Sequence, residues 1–264
     1  MDLALAGRTA IITGASKGIG LSIARSLAQE GCHVCIASRT KSELDEAAES
    51  IRRDYNVNAV SFPGDMSNND DIKRLAAACA PVDILVNSAG AIPRGSLSEV
   101  DDQSWRRAWD LKVFGTINMT REIYGGMCER GRGVIINIVG IAGHRPDAHY
   151  IAGSTANAAL IMFSRSLGGD SIRHGVRVIA VNPGPVETEK TINDTKRLAK
   201  ERLGDESRWR ELNARFPMKR AATTQEVSSM VVFLASDHAS YISGVSIDID
   251  GGLLSDSALG VKRG

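Results

Sequence analysis

No apolar stretch in these 264 residues approaches the ~20 needed to cross a bilayer, which excludes a membrane-spanning helix. Neither sign of charge dominates: 32 Lys+Arg stand against 31 Asp+Glu, a formal net charge of +1. That balance argues against a general nucleic-acid binder, whose affinity rests on a basic excess. The four cysteines, Cys32, Cys35, Cys79 and Cys128, are too few for a disulfide framework in a chain this long. Cys32 and Cys35 form a CxxC, but it opens an apolar strand and has no second pair. Buried free thiols are therefore expected, and no metal site. The first residues lack the basic start and small-residue cleavage site of a signal peptide, so the expectation is a cytoplasmic protein. Glycine is the one abundant residue, with 26 copies against the ~7% of average usage.

Short β-branched runs alternate with longer helical patterns along the whole chain. Strands are predicted over 9–13, 34–37, 59–62, 84–87, 134–138, 176–181 and 245–249. Helices are predicted over 19–30, 42–53, 69–79, 103–130, 155–173 and 224–236. The strands are continuously apolar, as expected where helices cover both faces of a parallel sheet. The pattern predicts an α/β fold with a doubly wound, Rossmann-type parallel sheet in one domain spanning 1–264. Residues 189–220 break the rhythm and are expected to form a helical lid over the carboxyl edge of the sheet, where ligands of such sheets bind.

The run Thr13-Gly14-Ala15-Ser16-Lys17-Gly18-Ile19-Gly20 falls between the first strand and the first helix. Glycines there let the backbone approach a pyrophosphate, and the helix start offers free N–H groups and a partial positive charge. Further along stand Asn87-Ser88-Ala89-Gly90, Pro183-Gly184 and Asp250-Gly251-Gly252. In this order the motifs resemble those of the short-chain dehydrogenase/reductase family over essentially the full length. The resemblance implies a dinucleotide cofactor, with Asp65 and the adjoining Met66 beside the adenine, Val186 in the loop after Pro183-Gly184, and Thr188 holding the carboxamide. At the end of the second strand stands Ser38-Arg39-Thr40, with no carboxylate before Glu43. An acidic residue there would favour NAD, whereas Arg39, with Lys17 nearby, pairs with a 2′-phosphate. NADP(H) is expected, with NAD the alternative.

The catalytic end departs from the family pattern. Family members reduce carbonyls or oxidise alcohols with a tyrosine acid/base beside a lysine, a serine that orients the substrate oxygen and an asparagine that helps hold a relay water. Residues 157–163, Asn-Ala-Ala-Leu-Ile-Met-Phe, resemble the segment that carries the lysine, and 135–140 resemble the strand that ends in the serine. Aligned this way, the asparagine, serine, tyrosine and lysine positions hold Lys112, Gly140, Gly153 and Asn157. Three readings follow. In the first, the site has moved: Tyr150 donates the proton with help from Lys112, while Asn157 and Ser154 complete the set and His144 and His149 stand as substitutes. In the second, the chain binds NADP(H) without redox turnover, as a sensor or partner subunit. In the third, it is a lyase or isomerase with a histidine base.

Across 189–220 there are ten Lys/Arg and six Asp/Glu, an excess that fits steering of a small anionic substrate. Trp105, Trp109, Phe114, Ile117, Ile161, Met162 and Phe163 lie on the long central helices. The resemblance implies that these helices pack across a two-fold axis in a homodimer or homotetramer.

Overall fold

The computed structural model describes residues 2–256; Met1 and residues 257–264 of the expected domain lie outside the described residues. Seven parallel strands form the central sheet: β1 (Thr9–Thr13), β2 (His33–Ser38), β3 (Ala59–Pro63), β4 (Ile84–Asn87), β5 (Gly133–Ile138), β6 (Val176–Pro183) and β9 (Val245–Ile249). Their order is β3-β2-β1-β4-β5-β6-β9, so the chain reverses direction between β1 and β4. The carboxyl end of the sheet at this reversal is where a doubly wound fold leaves its ligand crevice.

Side-chain alternation explains the continuously apolar strands. On β1, Ala10 and Ile12 face one buried cluster with Ile23 and Leu27, while Ile11 faces a second with Leu75 and Met119. Helices α1 (Gly18–Gln29), α2 (Lys41–Tyr55) and α8 (Thr224–Ala235) cover the first face. The second is covered by α3 (Asn69–Ala78), α5 (Gly115–Glu129) and α6 (Ile151–Ser171). Each strand therefore needs apolar residues at both parities.

Several expectations change. The helix predicted over 103–130 is α4 (Asp102–Trp109) and α5 joined by a π turn over Asp110–Phe114. The helix predicted to start at 155 begins four residues earlier, at Ile151. Cys35 and Cys79 are paired as a disulfide, with Cα atoms 6.6 Å apart, which corrects the expectation of four free thiols. Cys35 faces the second cluster from β2, and Cys79 ends α3 on that side, a proximity that a separation of 44 residues hides. Cys32 faces the first cluster, so the CxxC pair is split between the two faces of the sheet.

The excursion from 189 to 220 is closed at its base. It leaves after β7 (Val186–Glu187) and returns at β8 (Ala222–Thr223), and these two strands pair in parallel. It contains α7 (Glu189–Leu203) and a 3-10 segment over Glu206–Arg215, anchored by the buried Trp209. Thr188 starts α7 with a capping box to Thr191. Among the described residues no helix is long and apolar enough to cross a membrane, and no cluster of metal-ligating side chains is found.

Candidate active site

The cofactor candidates gather at the carboxyl ends of β1 to β4 and β6. Thr13 Oγ1 accepts hydrogen bonds from the Ser88 and Ala89 backbone N–H groups at 3.1 and 3.2 Å, locking the glycine loop to the loop after β4. A Cβ at Gly14 would stand 2.8 Å from Ala89 Cα, so the two loops close only with glycine there. Gly18 has φ +60° and faces the Thr188 methyl group, placing the start of the excursion against the glycine loop. No side chain caps the N-terminus of α1. Ser16, Lys17, Gly18, Ile19 and Gly20 therefore surround a helix start whose N–H groups remain available to an anion.

Ser38, Arg39 and Thr40 follow at the end of β2. The Ser38 hydroxyl is buried without a hydrogen-bond partner, an orphan that a sugar hydroxyl or phosphate oxygen would satisfy. Arg39 is exposed and has no ion-pair partner among the described residues. Lys17 differs from expectation: it pairs with Glu43 at 3.5 Å, leaving Arg39 as the uncommitted cation. Asp65 and Met66 follow β3, with Asp65 Oδ1 accepting from the Ser67 N–H at 2.9 Å. Asn87 is buried and donates to Asn137 Oδ1 at 2.9 Å, while Ala89 and Gly90 line the loop beyond it. Pro183 ends β6, Gly184 donates to the Ile249 carbonyl at 2.9 Å, and Val186 opens β7. The unsatisfied serine, the open helix start and the close loop packing fit a dinucleotide.

The catalytic candidates lie around the start of α6. Tyr150 stands at its N-cap position with φ −141°, and its carbonyl accepts from Ser154 N–H at 2.8 Å. Its ring folds back over Gly153, where a Cβ would fall inside it. The early helix start and the glycine together place an aromatic ring over the aligned tyrosine position, supplied from three residues upstream. Burial pushes the Tyr150 phenol above its usual range, and the Arg94 guanidinium, 5.4 Å from the ring centroid, partly opposes this. Arg94 also pairs with Asp147 at 3.2 Å, and Gly95 N–H donates to the His149 carbonyl at 2.8 Å, docking the loop after β4 onto the Tyr150 loop.

Lys112 lies in the π turn. Its aliphatic stem runs along Gly90 and its Nζ donates to the Val139 carbonyl at 2.8 Å, one residue before Gly140. Desolvation pulls its pKa down to about 8. No hydrogen bond among the described residues joins Lys112 to Tyr150 or to Asn157, and the cation that acts on the phenol is Arg94. Sequence reading missed Arg94 because its contact depends on how two loops dock, for which spacing carries no signal. Ser154 is also placed differently: its hydroxyl accepts from Asp147 N–H at 3.2 Å and holds the loop instead of opening toward substrate. His144 is drawn into a polar group with Ser246 (3.1 Å), Asn182 (3.3 Å) and Asp248 (3.5 Å). All three contacts fall on the same ring nitrogen, Nε2, so a serine–histidine–aspartate relay, which needs both nitrogens, is not formed.

Fold and site together define a dinucleotide-binding α/β protein. Residues 8–199 match the sequence profile of the short chain dehydrogenase family, and the chain belongs to that family. It is 31% identical to an acetoacetyl-CoA reductase of Allochromatium vinosum over 252 residues, covering 93% of this chain and 98% of that protein. Its fold superposes with a TM-score of 0.93 on L-sorbose reductase from Gluconobacter frateurii, crystallised with NADPH and L-sorbose. That pair shares 32% identity over 97% of this chain and 100% of the other. An actinorhodin polyketide ketoreductase with NADPH superposes at 0.89, with 31% identity over 95% and 98%. By family the chain is an oxidoreductase.

Proposed function

We propose that this chain is an NADP(H)-dependent reductase that converts a small-molecule ketone to a secondary alcohol with Tyr150 as the proton donor. The observation that carries the reading is the Tyr150 ring lying over Gly153, where the family's tyrosine side chain would project. Bound NADPH supplies the hydride. The chain's part is to deliver the proton: Tyr150 passes its phenolic proton to the oxygen as the carbonyl carbon is reduced. Burial raises the phenol, so it carries its proton at neutral pH, and Arg94 is the cation that opposes that rise. Lys112 holds the Val139 carbonyl and so positions the Gly140 backbone. The half-buried Lys196 and the exposed Lys200 of α7, which have no ion-pair partner among the described residues, support an anionic substrate. Phe114 and Met162, half-exposed or more on the α5 and α6 side, support assembly into a homodimer or homotetramer. A soluble cytoplasmic location belongs to the same reading.

Tyr150→Phe tests it. NADPH oxidation with L-sorbose and ethyl acetoacetate is expected to fall by about 100-fold or more, within the range of general acid catalysis, with NADPH affinity unchanged. Unaltered turnover would overturn the role of Tyr150. A second reading, NADP(H) binding without turnover, is favoured by the absence of a lysine bond to the phenol. Saturable NADPH binding by the wild type without oxidation across a panel of ketones would establish it.

A further inference from the structure

Resting on the reductase reading, one aligned position still lacks a role. Asn157 follows Gly153 by four residues on α6, so the Tyr150 ring and the Asn157 side chain lie on one face of the helix, a turn apart. Asn157 is buried, at 2% exposure, in a site otherwise built from loops and helix starts. Its Oδ1 has no hydrogen-bond partner. Its Nδ2 donates to no group among the described residues and points toward Gly140, where a Cβ would stand 3.0 Å away. Gly140 has φ +129°, a conformation that side-chain-bearing residues rarely adopt, so no side chain competes for that space. The Pro183 carbonyl bounds it at 3.9 Å.

The polar groups nearby already have partners: Lys112 Nζ donates to the Val139 carbonyl, Ser154 Oγ accepts from the Asp147 N–H, and His144 Nε2 lies in the Asn182, Ser246 and Asp248 group. The buried Asn157 amide has no partner among the described residues and lies beside Gly140.

We propose that Asn157 is a catalytic residue whose Nδ2, beside the side-chain-free Gly140, donates a hydrogen bond to the substrate carbonyl oxygen. During reduction the hydride bonds to the carbonyl carbon, the C=O π pair moves to oxygen, and that oxygen takes the Tyr150 proton. Asn157 transfers no proton. It stabilises the charge that gathers on oxygen before the phenol gives up its own proton, and a fixed donor aimed at developing charge acts most strongly in a buried site. The amide carries no charge and does not titrate, so its contribution is independent of pH.

The full-length wild type, Asn157→Asp and Asn157→Ala are compared. Asn157→Ala removes the donor, while Asn157→Asp keeps the shape and exchanges the amide for a carboxyl group. With L-sorbose and ethyl acetoacetate, kcat is expected to fall about 100- to 1000-fold in both variants, as on removal of an oxyanion donor. The NADPH Kd, read by fluorescence, stays within about twofold, a split that a purely structural role would not produce. An independent measurement uses the wild type alone. The Asn157 side-chain amide resonances, assigned through the backbone, are followed in the NADP⁺ complex as each ketone is added, and they are expected to shift. Resonances unmoved by either ketone, or undiminished kcat in both variants, overturn the proposal. Because the shift requires no turnover, it separates a failure of Asn157 from a failure of the reductase reading, which Tyr150→Phe and the wild-type assay report.

Discussion

The Tyr150 ring fills the space that a side chain at Gly153 would take. The two positions are therefore coupled: the glycine exists for the ring, and the ring reaches the site only because of the glycine. Gly153→Ala places a methyl group inside the ring and must push Tyr150 outward or distort the first turn of α6. Reductase activity is expected to drop at least tenfold, with a destabilisation of about 1–3 kcal/mol typical of overpacking. In Gly153→Ala/Tyr150→Ala the clash is gone, so stability measured by denaturant unfolding returns while activity does not. A Gly153→Ala protein with normal turnover would mean that the ring position is irrelevant to the chemistry.

Lys112 gives the protein a signature at alkaline pH. Desolvation sets its folded pKa at about 8, below the ordinary lysine value of 10.5. Between those values the unfolded chain still holds the proton and the folded chain has released it. The unfolded state then binds more protons, and stability rises with pH through this window. Below about pH 8 both states are charged, and the folded state bears the full cost of a desolvated ammonium. Lys112→Met removes the titrating group. Urea unfolding at pH 7.5 and 9.5 is expected to show the wild type gaining on the variant as pH rises. A wild-type minus variant difference that does not change with pH would place the ammonium in water.

The return from the excursion is fastened by Glu226. Its carboxylate accepts from both terminal nitrogens of Arg220 at 2.6 and 2.8 Å and from the Thr223 N–H at 2.7 Å, completing the capping box that begins α8. The Arg220 guanidinium, followed by the Thr223 backbone, holds its pKa down to about 2. The depressed pKa means that this stabilisation is present above the unfolded value, near pH 4.5, and is lost as pH falls toward 2. The group is partly exposed, so the cap sets the scale: Glu226→Gln is expected to cost about 1 kcal/mol at pH 7, roughly 2–4 °C in Tm for a domain of this size. The gap between wild type and variant should close on acidification to pH 2; a constant gap would point to packing instead of charge.

The α/β alternation was legible because a two-faced parallel sheet demands apolar residues at both parities, a demand that β1, β4 and β6 meet within a few residues. The cofactor loop was legible because its glycines are local requirements, as at Gly14 against Ala89. The catalytic set was harder to read, since its geometry is made by distant segments. Whether Lys112 meets Tyr150 or the Val139 carbonyl depends on a π turn that no periodicity announces. Arg94 and Tyr150 meet because two loops join through Gly95 and His149. The disulfide between Cys35 and Cys79 joins β2 to the end of α3, which spacing does not reveal.

Cofactor choice rests on the end of β2. Lys17, a cation of the glycine loop, is paired with Glu43 at 3.5 Å, and the Ser38 hydroxyl is buried and unpaired. Arg39 is the exposed cation beside that hydroxyl without a carboxylate of its own. A guanidinium and a 2′-phosphate form a charge-assisted pair, whereas a ribose hydroxyl offers it little. Arg39→Ala is therefore expected to weaken NADPH binding by about 10- to 100-fold, the size of one hydrogen bond to a charged group. NADH binding should change by no more than about twofold. Because the pair is exposed, the NADPH penalty should shrink as salt rises from 0.05 to 0.5 M, while the small NADH effect stays put. Fluorescence titration of both nucleotides against wild type and variant measures this directly. Equal losses for NADPH and NADH would assign Arg39 to the fold of the loop and leave phosphate selection to Lys17 after release from Glu43.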